Sequence, residues 1–200
     1  MSEKKWTVVG VSGVTCGGKT TFAAALRAEF PDATVVSQDD YFLPPDDPRH
    51  THLPELNHIN WEIATALDMD RMVSDIREIL TRNPGDALLI LEGYLIFTDP
   101  FLSSLCDLKY FFTISPEECR KRRAERAKEP PDPSWASLWH DKPGYFENVL
   151  WPEYERNLQV ALNINSDLKF IDGTRTTQSV VNKVAEDVQQ VIMKKAYVRG

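Results

Sequence analysis

Gly13-Val14-Thr15-Cys16-Gly17-Gly18-Lys19-Thr20 decides how the rest of this chain is read. It fits the pattern G-x-x-x-x-G-K-[ST] at every fixed position. Before it runs Trp6-Thr7-Val8-Val9-Gly10-Val11, apolar and β-branched, a stretch of strand type. After it, Thr21-Phe22-Ala23-Ala24-Ala25-Leu26-Arg27-Ala28-Glu29 reads as helix. Glycines let the backbone turn tightly and aim its N–H groups at an anion. The following helix adds the positive end of its dipole at the same point. Strand, loop and helix together predict a phosphate-binding loop, with Lys19 reaching the β and γ phosphates and the Thr20 hydroxyl on Mg²⁺.

The surrounding chain sets bounds on what such a loop serves. Two hundred residues, 42% hydrophobic and 26% charged, suit one globular domain with a real core. The apolar run Ala87-Leu88-Leu89-Ile90-Leu91 is too short to span a bilayer, so no membrane partner is expected. Met1-Ser2-Glu3-Lys4-Lys5 is polar and leads straight into a strand, so no leader peptide is expected either. Cys16, Cys106 and Cys119 have no metal or disulfide spacing, which points to a reducing, cytoplasmic setting. A net charge of −7 argues against nucleic acid as a general partner.

Read outward from the loop, the chain alternates strand and helix. Thr34-Val35-Val36-Ser37 restarts as a strand and completes a βαβ unit with parallel pairing. Gln38-Asp39-Asp40-Tyr41-Phe42 follows at its carboxyl end, where ligands bind in open α/β sheets. A hydroxyl attacking a γ-phosphate needs a carboxylate to orient it and take its proton, and either Asp39 or Asp40 could serve. Leu43 to His58 is proline-rich and polar and reads as a long loop without regular structure; His50, His52 and His58 read as solvated loop histidines. A helical pattern starts at Asn60-Trp61-Glu62 and passes through Ile63, Ala66, Leu67 and Met69. Another begins at Asp70 with Met72, Val73, Ile76, Ile79 and Leu80 on one face, ending at the turn Asn83-Pro84-Gly85-Asp86.

The apolar run from Ala87 to Leu91 predicts a strand buried on both faces, and Glu92 directly after it is placed to hold Mg²⁺. Pro100 to Asp107 reads as a connection with one short helical turn, and Leu108 to Ile114 as an aromatic-rich strand. Ser115-Pro116-Glu117-Glu118 opens a helix with serine at the cap, proline first and a capping-box glutamate. That helix carries Arg120, Lys121, Arg122, Arg123, Arg126 and Lys128, a local basic field in an acidic chain. The pattern suggests a lid bringing arginines onto a polyphosphate, with Arg122 and Arg126 on one face. Glu129 to Gly144, with Trp135 and Trp139, reads as a loop. Trp151-Pro152 begins a helix with Tyr154, Leu158 and Leu162 inward; Leu168 to Ile171 is the last strand. Thr177 to Lys195 closes the chain as a helix with a stripe of Val180, Val184, Val188 and Val191.

Taken in order, Asp39-Asp40-Tyr41-Phe42, Glu92-Gly93-Tyr94, the arginine helix, and Pro143-Gly144-Tyr145-Phe146 ahead of Trp151-Pro152 resemble the nicotinamide riboside kinases, within the uridine-kinase-like group of P-loop kinases. The resemblance spans Trp6 to about Lys195. It implies an α/β P-loop kinase fold, residues 1–200 as a single domain, with a five-stranded parallel sheet flanked by helices and an arginine-bearing lid at about 115–146. It also implies ATP with Mg²⁺ and transfer of the γ-phosphate to the 5′-hydroxyl of nicotinamide riboside, with nicotinic acid riboside as a second acceptor. The product would be the mononucleotide that feeds NAD synthesis. On the family's pattern Gly13, Val14, Thr15, Cys16, Gly17, Gly18, Lys19, Thr20 and Thr21 hold the ATP phosphates. Arg122 and Arg126 meet ATP, as does Lys128, which stands where the family commonly has an aromatic residue. Arg175, Thr176 and Thr177 look like the nucleotide-side loop. The resemblance selects Asp39 over Asp40 as proton acceptor and puts it near the metal with Thr20 and Glu92. Substrate contacts fall to Asp39, Asp40, Tyr41, Phe42, Trp61, Glu62 and Arg123. An indole face at Trp61 can attract the cationic pyridinium ring, and the Glu62 carboxylate can accept from both ribose hydroxyls.

Two other readings are weighed. A kinase for uridine or another nucleoside uses the same scaffold and differs only in its acceptor pocket. A P-loop GTPase switch needs Asn-Lys-x-Asp to read guanine; the nearest match, Asn182-Lys183-Val184-Ala185, has alanine in the fourth place and lies inside the terminal helix pattern.

Overall fold

A computed structural model describes residues 6–82, 87–128 and 141–199. The turn expected at 83–86 and the loop carrying Trp135 and Trp139 lie outside the described residues. Five strands, β1 (Thr7–Gly13), β2 (Thr34–Ser37), β5 (Leu88–Glu92), β6 (Leu108–Thr113) and β7 (Lys169–Asp172), form one parallel sheet in the order β2-β5-β1-β6-β7. β1 and β5 are buried along their whole length. Strands buried on both faces must be apolar at consecutive positions, which is why they read as unbroken runs.

Alternate residues of these strands feed two separate cores. Val9, Val11, Leu88, Ile90, Tyr110 and Phe112 pack against α1 (Lys19–Glu29) and α6 (Thr177–Arg199), meeting Phe22, Leu26, Val181, Val184 and Val188. Val8, Leu89, Leu91 and Phe111 face the other way, toward α2 (Met69–Thr81), α3 (Pro100–Leu105) and α5 (Trp151–Ile164), meeting Met72, Ile76, Leu102 and Ala161. Each fully buried Leu or Ile there contributes about 1.5–3 kcal/mol relative to exposure, which offsets the ordering entropy of the chain. Asp68 caps α2 by accepting from the Arg71 N–H at 3.1 Å, and Asp99 caps α3 by accepting from Leu102 N–H at 2.8 Å.

Four local expectations are corrected. Leu43 to His58 is not featureless: β3 (His52–Leu53) and β4 (His58–Ile59) pair as a small antiparallel hairpin. No long helix opens at Asn60; Asn60 Oδ1 accepts from Glu62 N–H at 3.1 Å, a single short turn covers Ala64–Ala66, and Leu67 bridges to Phe42. The backbone of Trp61 is taken by tyrosine hydroxyls instead, which removes it from any helical ladder. In α5, Leu162 is 40% exposed and Ala161 takes the inner place, as the spacing 154, 158, 161 requires on a 3.6-residue period. At the start of α4 (Pro116–Lys128), Ser115 Oγ accepts from Glu118 N–H at 3.2 Å, but the Glu118 carboxylate turns to Arg122 Nε at 2.6 Å instead of closing the box.

Candidate active site

The loop after β1 lies at the carboxyl edge of the sheet, where β1 has β5 on one side and β6 on the other. Crossovers leave in opposite directions there, opening a crevice between them. Gly18 is the N-cap of α1 at φ 96°, a left-handed conformation that glycine adopts without steric cost. Having no side chain, it leaves the first-turn N–H groups of α1 to an outside acceptor. Cys16 also stands at positive φ, 55°, and exposes part of its surface at the loop's crest. Lys19 is nearly buried, its ammonium donating to Val14 O at 2.8 Å.

A cavity of about 480 Å³ extends from this loop, lined by Thr15, Cys16, Gly18, Lys19, Thr20, Thr21, Asp39, Phe42, Trp61, Glu62, Glu92, Tyr94, Arg122, Arg123 and Arg126. Residues scattered over more than a hundred positions of sequence therefore share one space. Gly13, Val14 and Gly17 shape the loop behind its wall. Thr20 Oγ1 lies 3.3 and 3.4 Å from the two Glu92 carboxylate oxygens, and the Ser37 hydroxyl donates to Glu92 Oε1 at 2.6 Å. The registers Val11↔Glu92 and Ser37↔Glu92 put these groups level at the strand ends. Burial pushes the Glu92 carboxyl above its ordinary value, against the pull of Lys19 and the Ser37 hydrogen bond. Asp39 sits on the one-turn helix after β2 and opens onto the cavity. The protein walls around it raise its pKa, while Lys19 and Arg126 act in the opposite direction.

The far end of the cavity is aromatic and acidic. Trp61 is 5% exposed and meets Phe42 edge-on at 5.8 Å between ring centroids. Tyr94, stacked on Phe42 at 6.1 Å, donates its hydroxyl to Trp61 O at 2.8 Å. Glu62 lies beside Arg123, whose buried guanidinium grips Asp141 through Nε at 2.7 Å and Nη2 at 2.8 Å. Burial raises the Glu62 pKa, Arg123 lowers it and Asp141 raises it again. Two carboxyl groups, Glu62 and Asp141, thus flank one guanidinium here, and Lys19 also acts on Glu62.

Some expected residues fall elsewhere. Tyr41 points away, its hydroxyl donating to Asp75 at 3.0 Å under the Arg71 guanidinium, and Asp40 is exposed with its carbonyl on Arg71. Lys128 faces a separate groove with Ala124, Ala127 and Lys142. Arg175, Thr176 and Thr177 form the turn from β7 into α6, outside the cavity lining; Arg122 reaches toward that side, donating to Gly173 O at 3.0 Å and Cys16 O at 3.3 Å. His50 is not a solvated loop residue. It is buried edge-on against Trp61 at 4.8 Å, with Nε2 2.9 Å from Pro44 O. His58 packs on Tyr145 at 4.7 Å, and of these three loop histidines His52 is the exposed one. Among the described residues no cluster of three or more His, Cys, Asp or Glu could hold a metal. Asn182 and Lys183 lie within α6, where Val184 is buried in the core, so that segment has no freedom to read a base.

Sequence reasoning passed over Tyr94, Ser37, Asp141 and Tyr145. Tyr94 carried a signal, since it directly follows Glu92-Gly93 at a strand end. Tyr145 stands in the quoted Pro143-Gly144-Tyr145-Phe146 motif, but it, Ser37 and Asp141 are fixed by contacts across 18 to 84 positions that no spacing rule reports.

A parallel sheet in this order, with the phosphate loop after β1, an acid after β2 and an arginine helix facing both, defines a P-loop kinase. A solved gluconokinase from Sinorhizobium meliloti 1021 shares the fold with a TM-score of 0.56 at 13% identity, over 98% of this chain and 99% of that one. No protein-family model matches the chain. Nicotinamide riboside kinase 1 of Mus musculus is 35% identical over 94% of this chain and 96% of its own length. The human protein of the same name is 32% identical over 95% and 96%. The chain belongs to the nicotinamide riboside kinase family.

The raised pKa of Glu62 has a measurable consequence. Its folded state holds a proton above the ordinary 4.5, so the stability it contributes is present at acid pH and is lost as pH rises through the raised value. Glu62→Gln removes that loss. The variant is expected to melt higher than the parent at neutral pH, with the gap closing as pH falls toward 4.5, in thermal melts across that range. A gap independent of pH would refute the assignment.

Proposed function

We propose that this protein transfers the γ-phosphoryl group of ATP to the 5′-hydroxyl of nicotinamide riboside, forming nicotinamide mononucleotide and ADP. The observation that carries the reading is the single cavity joining a phosphate cradle, Asp39, and the acidic aromatic end at Trp61 and Glu62. At the donor end, the loop N–H groups, Lys19, Arg122 and Arg126 neutralise the polyphosphate, as a loose, highly charged transition state requires. In the middle, Asp39 orients the acceptor hydroxyl and takes its proton as the oxygen bonds phosphorus and the bridge to the β-phosphate breaks. At the acceptor end, the indole of Trp61 attracts the pyridinium ring, and Glu62 accepts from the ribose hydroxyls. The Glu62 carboxyl lining this end suits a cationic acceptor better than a neutral one.

The oxygen donors Thr20 Oγ1 and the Glu92 carboxylate, with Asp39 nearby, suit Mg²⁺, a hard cation that prefers such ligands. When bound, the ion supplies charge neutralisation between the phosphates. A reducing compartment suits a chain whose three cysteines are all free thiols.

Steady-state phosphorylation over a riboside panel tests the reading. Nicotinamide riboside is expected to exceed uridine in kcat/KM, with nicotinic acid riboside between them because its carboxylate enters an end already lined by Glu62. Uridine turning over faster than nicotinamide riboside would replace this proposal with a uridine kinase.

A further inference from the structure

We infer that Tyr145 is a positioning residue for the acceptor end, whose hydroxyl sets the Glu62 carboxylate and the Trp61 backbone in one geometry and thereby tunes discrimination between a riboside and its 2′-deoxy analogue. The inference rests on the reading of that end as the ribose site. Tyr145 does not line the cavity; it lies one layer behind it and is fully buried.

The hydroxyl accepts from Trp61 N–H at 3.1 Å and donates to Glu62 Oε1 at 3.3 Å. One atom thus ties two consecutive residues that face the cavity. Tyr94 closes the strap from the other side, donating to Trp61 O at 2.8 Å. With the Trp61 N–H and C=O both held by side chains, the turn at residues 61 and 62 needs no helical or sheet ladder. Asn157 adds a bond to Glu62 O at 3.3 Å.

The segment that delivers Tyr145 is built for the purpose. Pro143 and Gly144 form a turn in which Tyr145 N–H reaches Lys142 O at 2.9 Å and Gly144 stands at φ 83°. Proline followed by a positive-φ glycine is the pattern of a type II turn. A π-helical turn, Phe146–Leu150, follows directly, a rare feature concentrated at functional places. The Tyr145 ring lies in one apolar cluster with Val14, Cys119, Phe146 and Leu150, and His58 packs on it. The ring is held beneath the phosphate loop, leaving the hydroxyl little freedom to move. Burial, reinforced by Glu62, raises its pKa, so it stays protonated and remains a donor to the carboxylate. This also gives the Pro143-Gly144-Tyr145-Phe146 stretch a physical task.

A carboxylate held by a donor presents its other lone pairs in fixed directions, and two ribose hydroxyls can be met together only if those directions are right. Loss of the tyrosine hydroxyl lets Glu62 turn and leaves Trp61 N–H without its partner.

The test is a double-mutant cycle of Tyr145→Phe and Glu62→Gln on the full chain, assayed with nicotinamide riboside and its 2′-deoxy analogue, with melting temperature and KM for ATP recorded for each variant. Tyr145→Phe is expected to raise KM for the riboside by roughly tenfold, the loss of one hydrogen bond to a charged group. KM for ATP stays within about twofold, KM for the deoxy analogue changes less than KM for the riboside, and the preference ratio narrows. The double variant is expected to show the ratio of Glu62→Gln alone, since Tyr145 acts through Glu62. Equal losses on both acceptors, or single effects that multiply in the double variant, would overturn the inference. Where Tyr145→Phe does not fold, Gly144→Ala keeps the tyrosine but strains the turn, and an unchanged ratio there overturns it too. Failure of the parent to use nicotinamide riboside while it uses uridine strikes the functional reading alone, and the same cycle then runs with uridine and 2′-deoxyuridine.

Discussion

Replacing Asp39 with asparagine is expected to lower turnover by about 10²–10⁴ while ATP binding stays nearly intact. Asparagine has the same shape and can still meet the acceptor hydroxyl, but it cannot accept its proton. Asp39 opens onto the cavity between the phosphate loop and the aromatic end, with Lys19 and Arg126 close enough to act on its charge. Removing that negative charge leaves both cations to the polyphosphate, so ATP affinity is expected to hold or rise. Single-turnover rates with saturating substrates, beside ATP binding by calorimetry, make the comparison. Turnover within about threefold of the parent would remove Asp39 from the base role and return the choice to Asp40, which stands exposed next to it. Because the protein walls around Asp39, itself exposed at the cavity mouth, raise its pKa, the rate of the parent should fall as pH drops through a value above the ordinary 3.8.

The second large effect is expected at Lys19. Lys19→Met keeps the length and apolar stem but removes the charge, and is expected to lower kcat by about 10²–10³ and to weaken ATP binding as well. The side chain is nearly buried, and its ammonium sits against Val14 O in the loop. Its charge also lowers the pKa of both Asp39 and Glu92. Without it, both carboxylates hold their protons to higher pH. The acid limb of the pH–rate profile should therefore move upward in Lys19→Met, which a simple loss of phosphate contact would not produce. An unmoved limb would separate Lys19 from Asp39 electrostatically.

The two expected effects differ in kind: on the proposed mechanism Asp39 serves only the transfer, whereas Lys19 serves both binding and transfer. Arg122 and Arg126 line the same cavity, and Arg122 is engaged with Glu118, Cys16 O and Gly173 O.

Much of the donor half was legible in the residues alone. A glycine-rich loop between an apolar strand and an alanine-rich helix permits few conformations, because backbone sterics and the helix dipole act within a dozen positions. The buried strands announced themselves as unbroken apolar runs, since burial on both faces tolerates nothing else. The acceptor half was legible only as the resemblance of Trp61 and Glu62 to a family pattern. The residues that hold that half are not local to it: His50 was read as solvated and lies behind Trp61, and Tyr145 belongs to a turn 83 positions from Glu62. Tyr41 and Lys128, which the resemblance puts in the site, face elsewhere.

By itself, then, the sequence determined the parallel sheet, the phosphate loop and the acid after β2, all of which follow from short-range periodicity and steric rules. Only the tertiary structure decided which side chains behind the cavity hold Trp61 and Glu62. Hydrogen bonds between distant elements depend on how layers pack, and layer packing has no signature at any fixed spacing along the chain.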